Sequence, residues 1–383
     1  KAHVRSLSAA HLAGRKVGSE GEASAAEYVR DVFKEYSVDV ISPDQGDLFG
    51  IKTESGDTLT SRNVIGFVQG YDRDLRDRYI VVGARLDNLG SMTVTVDGLK
   101  TERVYYGANG NASGLAMMLE LARMVQTNSV LFRRSVLFVA FGASTESFAG
   151  SWYFLNRSFG DVDSIDAMIN LDMLGIGSNG FYAYTASNAD LNSILSRLNG
   201  ELQPVQPEVT ASEPYPSDHR AFYSKEIPAV MFTTGKYPEH NTEKDTESII
   251  EYDAMERELE YLYNFTLALA NTNLKLSFRP DKVVVKGPSY DDVVSYYDCD
   301  VRPSFLNSYE ISRFLEKWVY QYIKYPESAI RNGVQGKVMV DFIIDKDGKV
   351  TDVRVIRGVD PELDEEAVRV ISASPKWKPG RVK

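Results

Sequence analysis

The chain has 383 residues, of which 43% are hydrophobic and 25% are charged. This composition is typical of a globular protein, and a chain of this length is expected to form two domains. No stretch reaches the roughly 18 to 20 consecutive apolar residues of a membrane-spanning helix, and the single cysteine, Cys299, excludes an intramolecular disulfide.

The net charge of -11 is unevenly distributed along the chain. Residues 301–383 contain 15 Lys and Arg and 12 Asp and Glu, so this segment carries +3 and the first 300 residues carry -14. The contrast supports a boundary between two domains. The acidic larger part is a poor candidate for binding nucleic acid.

The first elements are helices that alternate with short apolar strands. Residues 22–36 place Ala26, Val29 and Phe33 at helical spacing. Buried strands are predicted at 79–84, 135–141, 168–172 and 228–233, a helix capped by Asn111 between the first two, and another helix from about 252 to 270. This alternation predicts an α/β domain with a mainly parallel sheet. Sites in such sheets form at the carboxyl ends of the strands.

A different pattern begins near residue 300. Residues 276–300 lack a clear period and are predicted to be a linker. After Pro303, an amphipathic helix over 310–323 precedes two alternating strands around Asp347-Gly348, which is a hairpin signal, and a helix over 363–374. The predicted domains are therefore 1–275 and 301–383.

Seven stretches of the first domain, in chain order, resemble the M28 family of zinc aminopeptidases, which also includes glutaminyl cyclase-like members. They are LAGRKVGSEGE, RNVIGFVQG, GANGNASG, FAGSWYF, INLDMLG, SDHRAF and KDTESI, and the resemblance covers roughly residues 7–271. It implies a mixed sheet flanked by helices, with two zinc ions above the carboxyl edge of the sheet.

The resemblance also implies which residues stand at the metal-ligand positions of the family. In GARLDNLG, the first ligand histidine of the family falls on Arg85, while the supporting aspartate is kept as Asp87. In GANGNASG, the aspartate that bridges both metals falls on Asn109, and the acidic residue after it falls on Gly110.

The remaining positions lie in three later loops. The general base of the family falls on Ser144, and the adjacent ligand glutamate falls on Thr145. The ligand aspartate is kept as Asp172. The last ligand histidine falls on Asn241, one residue after His240.

One of the five ligand positions therefore keeps a metal-binding side chain. Zinc binds imidazole, thiolate and carboxylate, and neutral amide or hydroxyl oxygens suit it poorly. The guanidinium of Arg85 offers no lone pair, and its positive charge repels a divalent cation. We expect that zinc has been lost and that the protein has no cofactor. We also expect Arg85 to fill the vacated metal position and to pair with Asp172, or with both Asp172 and Asp87.

Several other residues have both a catalytic and a structural interpretation. Ser217, Asp218 and His219 could belong to a hydrolase site, but their match to a structural motif of the family favours support of the fold. His240 could bind a metal together with Asp172, and Glu146 could replace the lost glutamate if its loop is shifted. The candidates for lining the cleft are Asp87, Asn88, Gly110, Glu146, Asp218, His219 and His240.

The second domain resembles the C-terminal domain of TonB. The matching residues are Tyr325-Pro326, Ala329, Gly333, the hairpin GKVMVDFIIDKDGKV, LDEEAV and PKWKPG. The resemblance implies a small α+β fold that binds an outer-membrane receptor or another envelope protein by β-augmentation. The family continues into a last strand that this chain lacks, so an unpaired sheet edge is expected.

The main functional hypothesis is a catalytically inactive peptidase homologue of the bacterial cell envelope, with an extracytoplasmic location that is periplasmic or envelope-associated. It would bind a peptide or protein through the former active-site cleft, the TonB-like domain or both. One alternative is an active aminopeptidase or glutaminyl cyclase-like enzyme with an unorthodox metal site. Another is a receptor-docking module in which the large domain is a spacer.

Overall fold

The computed structural model describes residues 1–52, 56–278, 293–296 and 299–382. The chain divides into two compact units, Lys1–Ser91 with Val104–Val284, and Met92–Arg103 with Val285–Lys383. The second unit thus takes in residues 92–103, which the sequence analysis assigns to the first domain. Most of the predicted linker lies outside the described residues. In the part of the chain that the structure describes, no helix is both long enough and apolar enough to cross a bilayer.

The strands are, in chain order, β1 (Asp39–Val40), β2 (Asp47–Lys52), β3 (Thr58–Val68), β4 (Tyr79–Arg85), β5 (Gly90–Val96), β6 (Leu99–Tyr105), β7 (Ser135–Phe141), β8 (Ile165–Leu171), β9 (Tyr182–Tyr184), β10 (Glu208–Thr210), β11 (Ala229–Thr233), β12 (Val334–Gln335), β13 (Met339–Ile344) and β14 (Val350–Arg357). The α-helices are α1 (Ala2–Leu7), α2 (Glu20–Glu35), α3 (Ser113–Thr127), α4 (Ala149–Tyr153), α5 (Ala189–Asn199), α6 (His219–Ser224), α7 (Tyr252–Asn271), α8 (Ile311–Phe314), α9 (Tyr320–Tyr322), α10 (Glu327–Arg331) and α11 (Pro361–Ser372).

The first unit is built around a mixed sheet with the strand order β1-β3-β7-β4-β8-β11-β9-β10, in which β2 also pairs with β3. The central strands β7, β4, β8 and β11 run parallel to one another, whereas β3 and β9 pair with this group in the antiparallel sense. Every residue of β7 and β8 is buried, as expected of strands covered by helices on both faces. The predicted mixed, mainly parallel sheet with flanking helices is confirmed.

Helix α3 forms where the sequence predicts a helix, but it starts later than predicted. The predicted apolar face is buried, including Leu115 and Leu119. The helix begins at Ser113, however, and Ala112 rather than Asn111 is its N-cap, because Gly110 and Asn111 have non-helical backbone angles. The Asn111 side chain still accepts hydrogen bonds from the backbone N–H groups of Gly114, at 3.2 Å, and Met173, at 2.8 Å.

The second unit combines two small sheets with helices. The predicted hairpin around Gly348 is formed by β13 and β14, which pair antiparallel. The segment 92–103 contributes parts of β5 and β6, and β5 pairs antiparallel with β12 through Val96 opposite Val334. Val94 is 1% exposed and packs in one apolar cluster with Ala329, Val334, Val359 and Leu363. The hairpin of residues 92–103 is therefore an integral part of this unit.

Glu258, on α7 of the first unit, gives the fold a specific pH dependence. Its side chain is 2% exposed, and its Oε2 has no hydrogen-bond partner among the described residues. Burial raises the pKa of Glu258 from 4.5 to about 8; Arg257 opposes this shift and Glu251 adds to it. The folded state therefore retains a proton that the unfolded chain releases, so this residue lowers stability progressively as the pH rises from about 4.5 to about 8.

We expect the substitution Glu258→Gln to leave stability unchanged near pH 4 and to raise the free energy of unfolding by about 1–3 kcal/mol near pH 9, since the neutral amide loses nothing on deprotonation. Urea unfolding at both pH values measures the difference. Glu256→Gln, an exposed position on the same helix, is the matched control. Equal pH dependence of the two variants would contradict the assignment.

Candidate functional site

The polar residues of interest lie where parallel strands of the first unit end. Arg85 is the last residue of β4, Asp172 directly follows β8, and Ser144 lies three residues after the end of β7. Because β4 pairs in parallel with both β7 and β8, these three positions fall at the same edge of the sheet.

Arg85 and Asp172 form a buried ion pair. Nε of Arg85 donates to Oδ1 of Asp172 at 3.0 Å, and their side chains are 12% and 3% exposed. Oδ2 of Asp172 accepts a hydrogen bond from the Ser217 hydroxyl at 2.6 Å. Burial acts to lower the pKa of Arg85, but the attraction of Asp172 outweighs it and the pKa is raised. The predicted pairing with Asp172 is confirmed, and the guanidinium stays charged.

The prediction that Arg85 also pairs with Asp87 is wrong. Asp87 accepts hydrogen bonds from the backbone N–H groups of Ser144, at 2.7 Å, and Thr145, at 3.0 Å, and from the Thr145 hydroxyl. Burial raises the pKa of Asp87, and these hydrogen bonds oppose the rise. The loop after β7 thus satisfies this carboxylate, and the hydrogen bond of Arg85 goes to Asp172.

A further carboxylate, Asp245, organises the loop that carries Asn109 and Gly110. It accepts hydrogen bonds from the backbone N–H groups of Asn109, at 2.7 Å, and Gly110, at 3.0 Å, and from the Tyr237 hydroxyl at 2.8 Å. This role of Asp245 was not predicted from the sequence. The available signal was its place in the family-like stretch KDTESI.

Asn109, to which the resemblance assigns the position of the metal-bridging aspartate, is fully buried. Its Oδ1 accepts hydrogen bonds from the backbone N–H of Gly175, at 2.7 Å, and from the Ser113 hydroxyl at 2.9 Å. Its Nδ2 has no hydrogen-bond partner among the described residues. The side-chain oxygen of Asn109 therefore accepts hydrogen bonds within the fold, whereas its side-chain nitrogen is a donor without a partner among the described residues.

Ser144, to which the resemblance assigns the position of the general base, is itself a hydrogen-bond donor. Its hydroxyl donates to Asp218 at 2.7 Å, and the Ser151 hydroxyl donates to the other oxygen of the same carboxyl group at 2.7 Å. Burial raises the pKa of Asp218 to about 7; the two hydroxyls oppose this rise, and the charges of Asp172 and Asp87 add to it. The arrangement supports the fold and provides no base at residue 144.

Ser217, Asp218 and His219 do not form a catalytic group with one another. The Ser217 hydroxyl donates to Asp172, whereas Nε2 of His219 lies 2.7 Å from the Glu213 carboxylate. Each side chain is thus directed to a different partner, which agrees with the structural interpretation of this motif.

The remaining candidates lie around the site. His240 is partly buried, and burial, Arg85 and Lys236 lower its pKa to about 3, so the ring is neutral. Nδ2 of Asn88 donates to the backbone oxygen of Tyr105 at 2.9 Å. Glu146 is exposed. Asn241 is partly buried and has a positive φ of 59°.

The side chains at the five positions that the resemblance assigns to metal ligands do not fit a zinc ion. Arg85 is a cation, Asn109 and Asn241 carry amides, Thr145 carries a hydroxyl, and Asp172 is committed to Arg85. Across the described ranges, no group of three or more His, Cys, Asp or Glu is arranged to hold a metal ion. The donor chemistry of the residues thus disagrees with the metal site that the fold implies.

Comparison with known families explains the geometry of the first unit. The model of peptidase family M28 matches residues 63–266, just over half of the chain. The chain belongs to peptidase family M28. The model of the Gram-negative bacterial TonB protein C-terminal region matches residues 321–383 of this M28 protein. Both resemblances drawn from the sequence are therefore confirmed.

Solved structures share the fold of this M28 protein at low sequence identity. The LapA aminopeptidase of Legionella pneumophila is 18% identical with a TM-score of 0.54, over 71% of this chain and 72% of that chain. A zinc aminopeptidase from Bacillus subtilis is 15% identical with a TM-score of 0.56, over 74% and 97%. The glutaminyl cyclase of Porphyromonas gingivalis is 17% identical with a TM-score of 0.52, over 69% and 95%.

Proposed function

We propose that this M28 protein is a catalytically inactive homologue that binds no zinc and acts in the bacterial cell envelope by binding a peptide or protein. The observation that carries the proposal is the buried ion pair between Arg85 and Asp172. It places a fixed positive charge at a ligand position of the family, and it occupies the one carboxylate kept from the ligand set. A divalent cation there would meet both repulsion and a lack of free donors.

The general base supports the same proposal. Ser144 donates a hydrogen bond to Asp218, and a neutral serine hydroxyl is too weak a base to take a proton from water. Peptide hydrolysis by the family reaction needs both a metal-polarised carbonyl and a base. The chain lacks the side chains for each at the matching positions.

The location in the envelope rests on the TonB-like segment. The family that matches residues 321–383 is described as Gram-negative bacterial. An extracytoplasmic, periplasmic or envelope-associated protein that contacts an envelope protein or an outer-membrane receptor fits this match.

Zinc titration by calorimetry and elemental analysis of the purified protein test the proposal. We expect far less than one zinc per chain, no heat of binding, and no hydrolysis of an aminoacyl nitroanilide or cyclisation of an N-terminal glutamine peptide. The zinc aminopeptidase from Bacillus subtilis, treated identically, is the positive control. Stoichiometric tight zinc binding, or turnover abolished by a chelator, would instead establish the enzyme alternative.

A further inference from the structure

The guanidinium of Arg85 has unused hydrogen-bonding capacity. Its Nε binds Asp172, and in the part of the chain that the structure describes neither Nη1 nor Nη2 has a hydrogen-bond partner. The side chain is 12% exposed, so its terminal nitrogens can be reached from solvent. Arginine at an internal ion pair normally uses several of its five donors, and this one presents a free pair.

The residue next to this free pair has no side chain. A Cβ at Gly110 would lie 3.3 Å from Nη2 of Arg85, 3.3 Å from Oδ2 of Asp245 and 3.1 Å from the Tyr237 hydroxyl, so the position is closely packed. By resemblance, the family has an acidic side chain at this position, whereas the glycine here places no side chain against the guanidinium. The neighbouring Asn109 is 0% exposed and carries the second unused donor, Nδ2.

The carboxylates around Arg85 are already satisfied by the fold. Asp172 accepts from Arg85 and Ser217, and Asp87 accepts from the loop after β7. Asp245 accepts from two backbone N–H groups and from Tyr237. The groups of the site that lack partners are therefore hydrogen-bond donors, so a ligand that binds them must supply hydrogen-bond acceptors.

We propose that the former metal site is a receptor for a carboxylate group of a peptide ligand, held by Nη1 and Nη2 of Arg85. The terminal nitrogens of arginine match both oxygens of a carboxylate in a bidentate pair, which a neutral amide cannot reproduce. The carboxylate belongs to a C-terminus or to an Asp or Glu side chain. This inference rests on the proposed function, because it requires the site to bind without cleaving.

The charges around Arg85 predict that the site distinguishes a peptide carboxylate from a free inorganic anion. Asp87, Asp172 and Asp245 outnumber the cations Arg85 and Arg15, so the site has no general attraction for anions. A free inorganic anion is thus held weakly, and binding depends on the forked geometry together with contacts along the peptide. We expect sulfate and acetate to bind far more weakly than a carboxylate-bearing peptide.

Three acetylated probes test the proposal with the full chain: Ac-Ala-Ala-Ala with a free carboxyl terminus, the same peptide as its amide, and the amide of Ac-Ala-Glu-Ala. Calorimetric or NMR titration is expected to show at least about tenfold weaker binding for the all-alanine amide than for one of the two probes that carry a carboxylate. Preference for the first peptide identifies a C-terminal carboxylate, and preference for the third identifies an acidic side chain.

Arg85→Lys keeps the charge and removes the fork, so it is expected to weaken binding roughly tenfold or more. Arg73→Lys, at an exposed position, is the matched control. If Arg85→Lys does not fold, the double variant Arg85→Met with Asp172→Asn removes the ion pair as a unit, and it is expected to fold and to lose the discrimination between acid and amide.

Equal affinity for all three probes would overturn the carboxylate inference and leave the binding function intact. Unchanged affinity in Arg85→Lys, or no binding of any probe at millimolar concentration, would also overturn it. Cleavage of a probe or uptake of zinc would instead overturn the proposed function.

Discussion

Replacement of Arg85 by methionine is expected to lower the free energy of unfolding of the first unit by about 3–5 kcal/mol. The substitution leaves Asp172 2% exposed with one remaining hydrogen bond, from Ser217, and without its counter-charge. An uncompensated buried carboxylate costs far more than the ion pair contributes when it is intact. Chemical denaturation at pH 8, where the carboxylate ionises fully on unfolding, measures the loss.

A second substitution separates the charge effect from the loss of packing. Adding Asp172→Asn to Arg85→Met removes both charges, so we expect most of the lost stability to return. Arg73→Met, at an exposed position, should change stability by less than about 0.5 kcal/mol. If the double variant were as unstable as the single one, the ion pair would not be the cause.

The second large effect is expected at Val94, in the hairpin that belongs to the second unit. Val94→Asp should destabilise this unit by about 3 kcal/mol or more, because the new carboxylate enters an apolar cluster with no partner. For a unit of this size, such a cost lowers the melting temperature on the order of 10–20 °C. Hydrogen exchange followed by mass spectrometry should show faster exchange in β12 and α11.

Thr93→Asp is the matched control, since Thr93 is exposed and adjacent to Val94. We expect exchange in β12 and α11 to be unchanged in this variant. We also expect α3 and β7, in the first unit, to keep their protection in both variants. Exchange in β12 that is insensitive to Val94→Asp would show that the hairpin is not needed for the second unit.

The sequence predicted the central sheet because its strands are continuous apolar runs, and β7 and β8 are indeed buried on both faces. It also predicted the pairing of Arg85 with Asp172, because a cation and a carboxylate at matching positions of one site must neutralise each other when buried. The first inference needed residue types alone, and the second also needed the family resemblance that assigns both residues to one metal site.

The sequence did not reveal contacts that depend on backbone geometry or on distant segments. The backbone N–H groups that satisfy Asp87 are present at every residue, so no pattern marks those of Ser144 and Thr145. Asp245 lies 136 positions from Asn109, whose N–H it accepts. The pairing of Val96 with Val334 is likewise non-local, and local periodicity contains no information about such partners.

The discontinuous second unit has a consequence for the order of events during synthesis. Residues 92–103 leave the ribosome long before β12 and α11. Until those elements are synthesised, Val94 is exposed, because the apolar partners that later cover it are missing. The contacts between this hairpin and β12 and α11 therefore join residues far apart in the sequence, which slows their formation. In the meantime the exposed apolar hairpin can form non-native contacts. At high concentration, the same hairpin could pair with β12 of another copy, so refolding yield should fall as protein concentration rises.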